Sequence, residues 1–369
     1  MAEKIVVELD AYVIGKEHRV FKCSPGKTYR FYKEVRRANT VFLDIRDLDK
    51  LPKSTADWHD ENILKIIADD RWNREIQSRE RGNDPQGTQG VGRADKTKLG
   101  FLKALLFEAQ RGDLVIVPVE GYNKDVLIGE FLDDAGDVRP IVATDDETQF
   151  AYLGRRVRWR SAMPKRFLSE QMIKAIHTQT AFFMIGQSLR EEVYRLAYQN
   201  FVYRGDFAAE FRTSKEKFTA EDHAVVSTWL NGFDVARSLG EAIDPSISFF
   251  ELGLRRLDDN LAAEIRIDIQ SPGGVFVKST GPFAMALMVL FSLPGCDTKK
   301  VVDEGVTVKL KVVGGAANPK DEIAQCVKSI AIALGQTRLD QSCALSDRAA
   351  KDAKITTSAA LKSPMKGSK

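Results

Sequence analysis

Apolar positions, many of them β-branched, dominate residues 5–14 and 40–44, which predicts strands. From residue 60 to 76 the period lengthens, and Ile63, Ile66, Ile67 and Ile76 fall on the inward side of a helix. Residues 79–98 are polar and carry Gly82, Gly87, Gly90 and Gly92, the signature of a loop. Residues 99–109 then predict a short amphipathic helix. The clearest strand signals follow. Leu114, Ile116 and Pro118 alternate with Val115, Val117 and Val119, so both faces are apolar and a central, buried strand is expected. Residues 126–131 predict its neighbour. Val157 and Trp159 alternate with Arg156, Arg158 and Arg160, giving one apolar and one cationic face. Ser169 is the expected N-cap of a helix running to His177, and residues 181–185 return as a strand.

The pattern changes beyond residue 186. Leu189, Val193 and Leu196 have helical spacing, and residues 201–218 read as an aromatic, charged connector. Thr219 and Asp222 form a capping-box pattern before a helix carrying Val225, Val226, Trp229 and Leu230. Pro245 starts another helix through Phe249, Leu252, Leu254 and Leu257. Residues 263–340 predict a small β-β-α-β-α unit: strands at 264–269, 275–277 and 306–312, an apolar helix at 283–293, and a last helix opened by Asn318-Pro319. From residue 341 the composition shifts to Ala, Ser, Thr and Lys, and a disordered basic tail is expected. The fold class predicted is therefore α+β. An N-terminal β-domain spans 1–186, a helical connector 187–262, a small α+β domain 263–340, and a tail 341–369.

Composition narrows the function classes. The chain has 369 residues, 43% hydrophobic and 29% charged, ordinary values for a water-soluble fold. A formal net charge of +3 excludes a global field that would force a polyanionic partner, so any nucleic-acid footprint must be local. Four cysteines (Cys23, Cys296, Cys326, Cys343) lie far apart and there are four histidines. That spacing argues against a structural zinc or a disulfide framework and for a reducing cytoplasm. The longest apolar run, 282–294, falls short of the roughly 20 residues of a membrane span, and the N-terminus does not resemble a signal peptide. Neither Ser271-Pro272-Gly273-Gly274 nor Val312-Val313-Gly314-Gly315 carries the Lys-Ser/Thr of a phosphate loop, and no cofactor is expected.

The candidate chemistry is cationic and aromatic. Arg155, Arg156, Arg158 and Arg160 can meet phosphates, with Trp159 against a base. Core packing competes for Trp159, since Val157 shares its face. Trp58 and Trp72 can line a cage for a flipped base, against plain core packing. Tyr29, Phe31 and Tyr32 lie among Lys27, Arg30, Lys33, Arg36 and Arg37, a stacking surface or equally a half-buried strand. His59, between Asp57 and Asp60, reads as solvated. No catalytic group and no metal set is complete.

The order of these stretches resembles the PUA-like or EVE-like domain at the N-terminus of Mrr-type restriction-system proteins. The matching stretches are 107–118 with Gly112-Asp113, then Ile128-Gly129-Glu130, then 155–159 with its Arg-Arg and Trp, then 168–185. The resemblance covers about half the chain and implies a small β-barrel with helices. It also implies a nucleic-acid reader, DNA ahead of RNA and including modified bases, in a restriction or antiviral-defence setting. In that family the reader is often joined to a metal-dependent nuclease. Here Asp258 or Asp259 with Glu264-Ile265-Arg266 is the nearest approach, and Arg266 stands where the chemistry needs a lysine. Glu264 and Asp268 alternate with isoleucines as a solvated strand face does. The expectation is a reader without catalysis of its own, able to form a homo-oligomer through its helical or C-terminal region. The alternatives are a nuclease with a diverged C-terminal site, or an oligomeric scaffold that binds protein or a small nucleotide.

Overall fold

The computed structural model describes residues 5–52, 54–80, 90–145, 148–258, 262–268, 273–293, 298–313 and 316–362. They form a mixed α+β structure on two sheets, one curled into a half-barrel and the other mixed and accompanied by helices. Contacts divide the chain into two units. One is His18–Ala197. The other joins the N-terminal segment through Glu17 to the chain from Tyr198 onward.

In the first unit the sheet runs, among the described residues, in the order Thr40–Phe42, Thr148–Pro164, Asp125–Phe131, Leu114–Val117, Val20–Cys23, Phe182–Met184. Arg139–Asp145 also pairs with Thr148–Pro164. Leu114–Val117, apolar on both faces, is buried throughout and central, with Val20–Cys23 parallel on one side and Asp125–Phe131 antiparallel on the other. The sheet packs on Phe31, Phe42, Leu102, Leu106, Phe131 and Tyr152. Helix Asp60–Glu80 extends the expected 60–76, and helix Glu170–Ile176 is capped by Ser169, whose hydroxyl accepts from the Met172 N–H at 3.1 Å.

The expected loop 79–98 is helical at both ends. Its residues 81–89 lie outside the described ones, but helix Arg93–Lys103 begins within it. Asp95 explains the start: its buried carboxylate accepts from the Gly92 N–H at 2.8 Å and pairs with Arg71 at 3.1 Å. The aromatic, basic stretch 27–37 is not a strand. It is a 3-10 turn, Lys27–Tyr29, followed by helix Tyr32–Ala38.

The second unit departs further from expectation. Its sheet runs, among the described residues, Glu264–Asp268, Gly273–Thr280, Asp206–Thr213, Phe201–Tyr203, Ile5–Ile14, Val306–Val313. Ile5–Ile14 lies parallel to both of its neighbours in that order, so the first strand belongs to this unit and not to the 1–186 domain. The predicted connector 187–262 contains two strands of this sheet, because Phe201, Phe207, Ala209 and Phe211 supply buried apolar positions. Helices Ala220–Leu239, Phe249–Gly253, Phe283–Ser292 and Lys320–Lys351 supply Trp229, Phe249, Met285, Val327 and Ile330 to one core. The Thr219–Asp222 capping box is present, with the Thr219 hydroxyl accepting from the Asp222 N–H at 3.2 Å.

The expected disordered tail is structured through residue 362. The last helix runs to Lys351 with a kink at Gly335, and Ile355–Thr356 and Ala359–Lys362 pair with Asp206–Thr213 and Ile5–Ile14. Buried Ala349, Ala353 and Ile355 anchor this end, small apolar positions hidden in a composition dominated by polar residues. Cys343 is disulfide-bonded, against the expectation of reduced cysteines, whereas Cys23 and Cys326 are free thiols. Among the described residues no helix is long and apolar enough to cross a membrane.

Candidate functional site

The arginine-tryptophan strand lies within Thr148–Pro164, and its groups are largely engaged inside the fold. Arg155 is fully buried, which removes it from any ligand. Its guanidinium donates to the carbonyls of Leu105, Ala109 and Asp133 and lies 4.7 Å from the Phe131 ring centroid. The reason is parity: residue 155 shares the inward face with Val157. Arg156 forks onto Asp133, whose carboxyl is held below its usual range chiefly by that bond. Arg158 and Arg160 share Glu130. The three arginines are therefore paired with two carboxylates of the adjoining strand and turn, which offset two of their three charges. Arg158, with its side chain 54% exposed, is the most open of them.

The motifs that carry the family resemblance also pack on one another. Trp159 is half-buried and lies across Gly129, where an added Cβ would come within 2.9 Å of its ring. Its indole N–H donates to the Arg36 carbonyl at 3.2 Å. Pairing passes from Ile128 opposite Ser161 to Gly129 opposite Trp159, a bulge that leaves residue 160 extra. Asp113 accepts from the backbone N–H groups of Arg19 and Gln110, at 2.9 and 2.8 Å. These residues hold the half-barrel's shape.

Trp58 and Trp72 are half-buried, and Trp58 packs against the core of the half-barrel. The Trp58 indole N–H donates to the Pro52 carbonyl at 2.7 Å and its ring meets Phe107 edge-on at 5.8 Å. Neither tryptophan lines the clefts described next. Tyr32 does line one of them, but its hydroxyl is committed to the Asp125 carbonyl at 2.6 Å.

Two clefts open on either side of the turn Thr28-Tyr29-Arg30, both within His18–Ala197. The first, about 1090 Å³, carries Tyr32, Lys33, Arg36, Arg37 and Lys124, with Glu34, Glu120 and Asp125 opposing them. The second, about 770 Å³, is more one-sided. Lys27, Arg30, Arg74 and Lys98 line it with a single carboxylate, Asp44, which Arg30 and Arg74 share at 2.7 Å each. Lys27 and Lys98 make no ion pair among the described residues. Tyr29 and Phe101 add aromatic surface, and His177, Thr178 and Gln179 add polar groups.

The turn at the second cleft is strained. Gly26, Thr28 and Tyr29 have φ of 79°, 52° and 58°. The left-handed region is natural for Gly26 but unfavourable for a β-branched threonine, and such strain concentrates at ligand sites. Two buried lysines lie behind the second cleft. Lys22, wholly buried, donates to the carbonyls of Thr178 and Thr180, and burial pulls its pKa from the ordinary 10.5 to about 8. Lys165 donates to the Val119 carbonyl and sits 3.1 Å from His177 Nε2; burial lowers its pKa too, opposed by Glu120.

Lys27 and Tyr29 were marked in the sequence as part of a basic, aromatic stretch. Lys98, Phe101, His177 and Gln179 were not, because no spacing relates them before the fold brings them together. Cys23 offers no nucleophile, since complete burial pushes its thiol up to about 12. Asp259 lies outside the described residues, and among those described no group of three His, Cys, Asp or Glu is placed to hold a metal ion. No family model, curated protein or solved structure matches the chain.

Proposed function

We propose that this chain is a nucleic-acid reader whose half-barrel unit takes an extruded base, including a modified one, into the cleft beside Tyr29. The single observation that carries this reading is the cleft's chemistry. Four cations face one carboxylate around a concave space of about 770 Å³ that also presents two aromatic rings and polar side chains that include His177 and Gln179. Phosphates suit the cationic rim, and a base suits an aromatic and polar interior. A space of this size lies in the ordinary range for a small-ligand pocket.

The likeness of residues 107–185 to PUA-like and EVE-like readers supports the same class of ligand and, by analogy, a role in restriction or defence against foreign DNA. That likeness rests on residues that shape the half-barrel, so the ligand contacts are argued from the cleft alone. The strand arginines, paired with Asp133 and Glu130, take a secondary part at most.

The test is binding of labelled single-stranded and duplex DNA and RNA to the full chain across a salt series. Affinity that falls steeply with salt, and falls again in Lys27→Ala/Lys98→Ala, is the expected result. No binding at low salt refutes the reading.

A further inference from the structure

His177 closes the helix Glu170–Ile176 and lines the second cleft. Its backbone N–H donates to the Ile173 carbonyl at 3.1 Å, and the turn that follows is held by Lys22 through Thr178 and Thr180. Its ring is held as well. Lys165, only 2% exposed, places Nζ 3.1 Å from His177 Nε2 while donating to the Val119 carbonyl. An ammonium group has three donors and no acceptor. Nε2 of His177 is therefore the acceptor, and the proton of the neutral ring sits on Nδ1. Burial, followed by the charges of Lys165 and Lys22, keeps the ring's pKa below its ordinary value, so the imidazolium is disfavoured.

We propose that His177 reads the bound base as a neutral imidazole of fixed tautomer. Its Nδ1–H donates to an uncharged acceptor of that base, a ring nitrogen or an exocyclic carbonyl oxygen, and Lys165 is the positioning residue that sets the tautomer. This rests on the assignment of the cleft to a base and goes further by naming which edge is accepted. A base offering only an amino group at this point would set donor against donor. The cations of the rim contribute affinity without regard to the base, whereas His177 contributes discrimination.

Two measurements on the full chain test it. Nitrogen-15 spectra of the histidine-labelled protein at neutral pH report the tautomer without any ligand. The expected state of His177 is Nδ1–H, shifting towards Nε2–H in Lys165→Met. An Nε2–H or doubly protonated His177 in the wild type overturns the proposal, and that spectrum decides the point even if Lys165→Met does not fold. The second measurement compares oligonucleotides with one base in an otherwise abasic strand. The wild type should favour a base over its analogue with the acceptor replaced by C–H, by about three- to tenfold. His177→Ala should abolish that preference by lowering affinity for the base to that for the analogue, with the slope of log affinity against log salt unchanged. Equal binding of base and analogue by the wild type overturns this proposal alone. Failure to bind any oligonucleotide overturns the base assignment with it.

Discussion

Arg155→Met separates a structural arginine from a ligand contact. The side chain is fully buried, and its guanidinium supplies donors to three backbone carbonyls, those of Leu105, Ala109 and Asp133. Methionine fills a similar volume, stays apolar beside Phe131 and donates nothing. Each buried carbonyl left without a donor costs roughly 1–3 kcal/mol. Relief from burying a guanidinium, whose pKa burial already lowers, offsets part of that sum. A net loss of about 3 kcal/mol follows, which lowers the melting temperature of a unit the size of His18–Ala197 by roughly 6–12 °C. Scanning calorimetry of the full chain measures it, with Arg158→Ala as the comparison. That exposed ion pair is worth at most about 1 kcal/mol, and Glu130 keeps Arg160. Nucleic-acid affinity of the folded Arg155→Met protein, taken well below its transition, should equal that of the wild type. A destabilisation below about 1 kcal/mol, or a stable protein with lost affinity, would refute the assignment of Arg155 to the core.

Three other outcomes are expected. Lys27→Ala/Lys98→Ala should flatten the plot of log affinity against log salt by about 1–2, since each phosphate contact contributes roughly 0.7–0.9 to the slope; an unchanged slope places the phosphates elsewhere. Lys22 carries a folded-state pKa of about 8 against an ordinary 10.5, so between those values the unfolded chain binds more protons and stability rises with pH. Relative to Lys22→Met, the wild type should gain roughly 3 kcal/mol from about pH 7.5 to about pH 10.5 in urea unfolding, and a constant difference would contradict the burial of a charged lysine. Gly154→Ala would press a Cβ into the Val41 carbonyl, so the pairing of Thr40–Phe42 must give way, at a cost of about 1–3 kcal/mol or more. Hydrogen exchange in that strand should quicken, and unchanged protection would count against the close approach.

Much of the half-barrel was legible in the sequence because its strands are short, strongly alternating and separated by turn residues. Leu114–Val117 and the Val157–Trp159 alternation follow directly from side-chain parity. Parity also places Arg155 inward, yet four arginines within residues 155–160 suggested a cationic surface; the carbonyls that receive Arg155 come from residues 22 to 50 positions away. The second unit was misdivided because its sheet is assembled non-locally. Ile5–Ile14 pairs with Val306–Val313, and no local pattern announces a partner some 300 residues distant. The ends of the chain misled for a related reason. Residues 341–362 look polar in composition, but Ala349, Ala353 and Ile355 anchor them by burial. At the site, the stretch 27–37 stood out by composition. Lys98 and His177 became visible only when helix Arg93–Lys103 and the turn after Glu170–Ile176 met the same cleft.

The central claim, that a base enters the cleft beside Tyr29, is tested most directly by photocrosslinking. A single-stranded DNA carrying one photoreactive base is bound to the full chain at low salt, irradiated, and the modified peptides are identified by mass spectrometry. Crosslinks at Tyr29, Phe101 or His177, lost on competition with unlabelled DNA, are the predicted result. Crosslinks confined to Arg158 and its neighbours on the strand, or to the unit that contains Trp229, would contradict it.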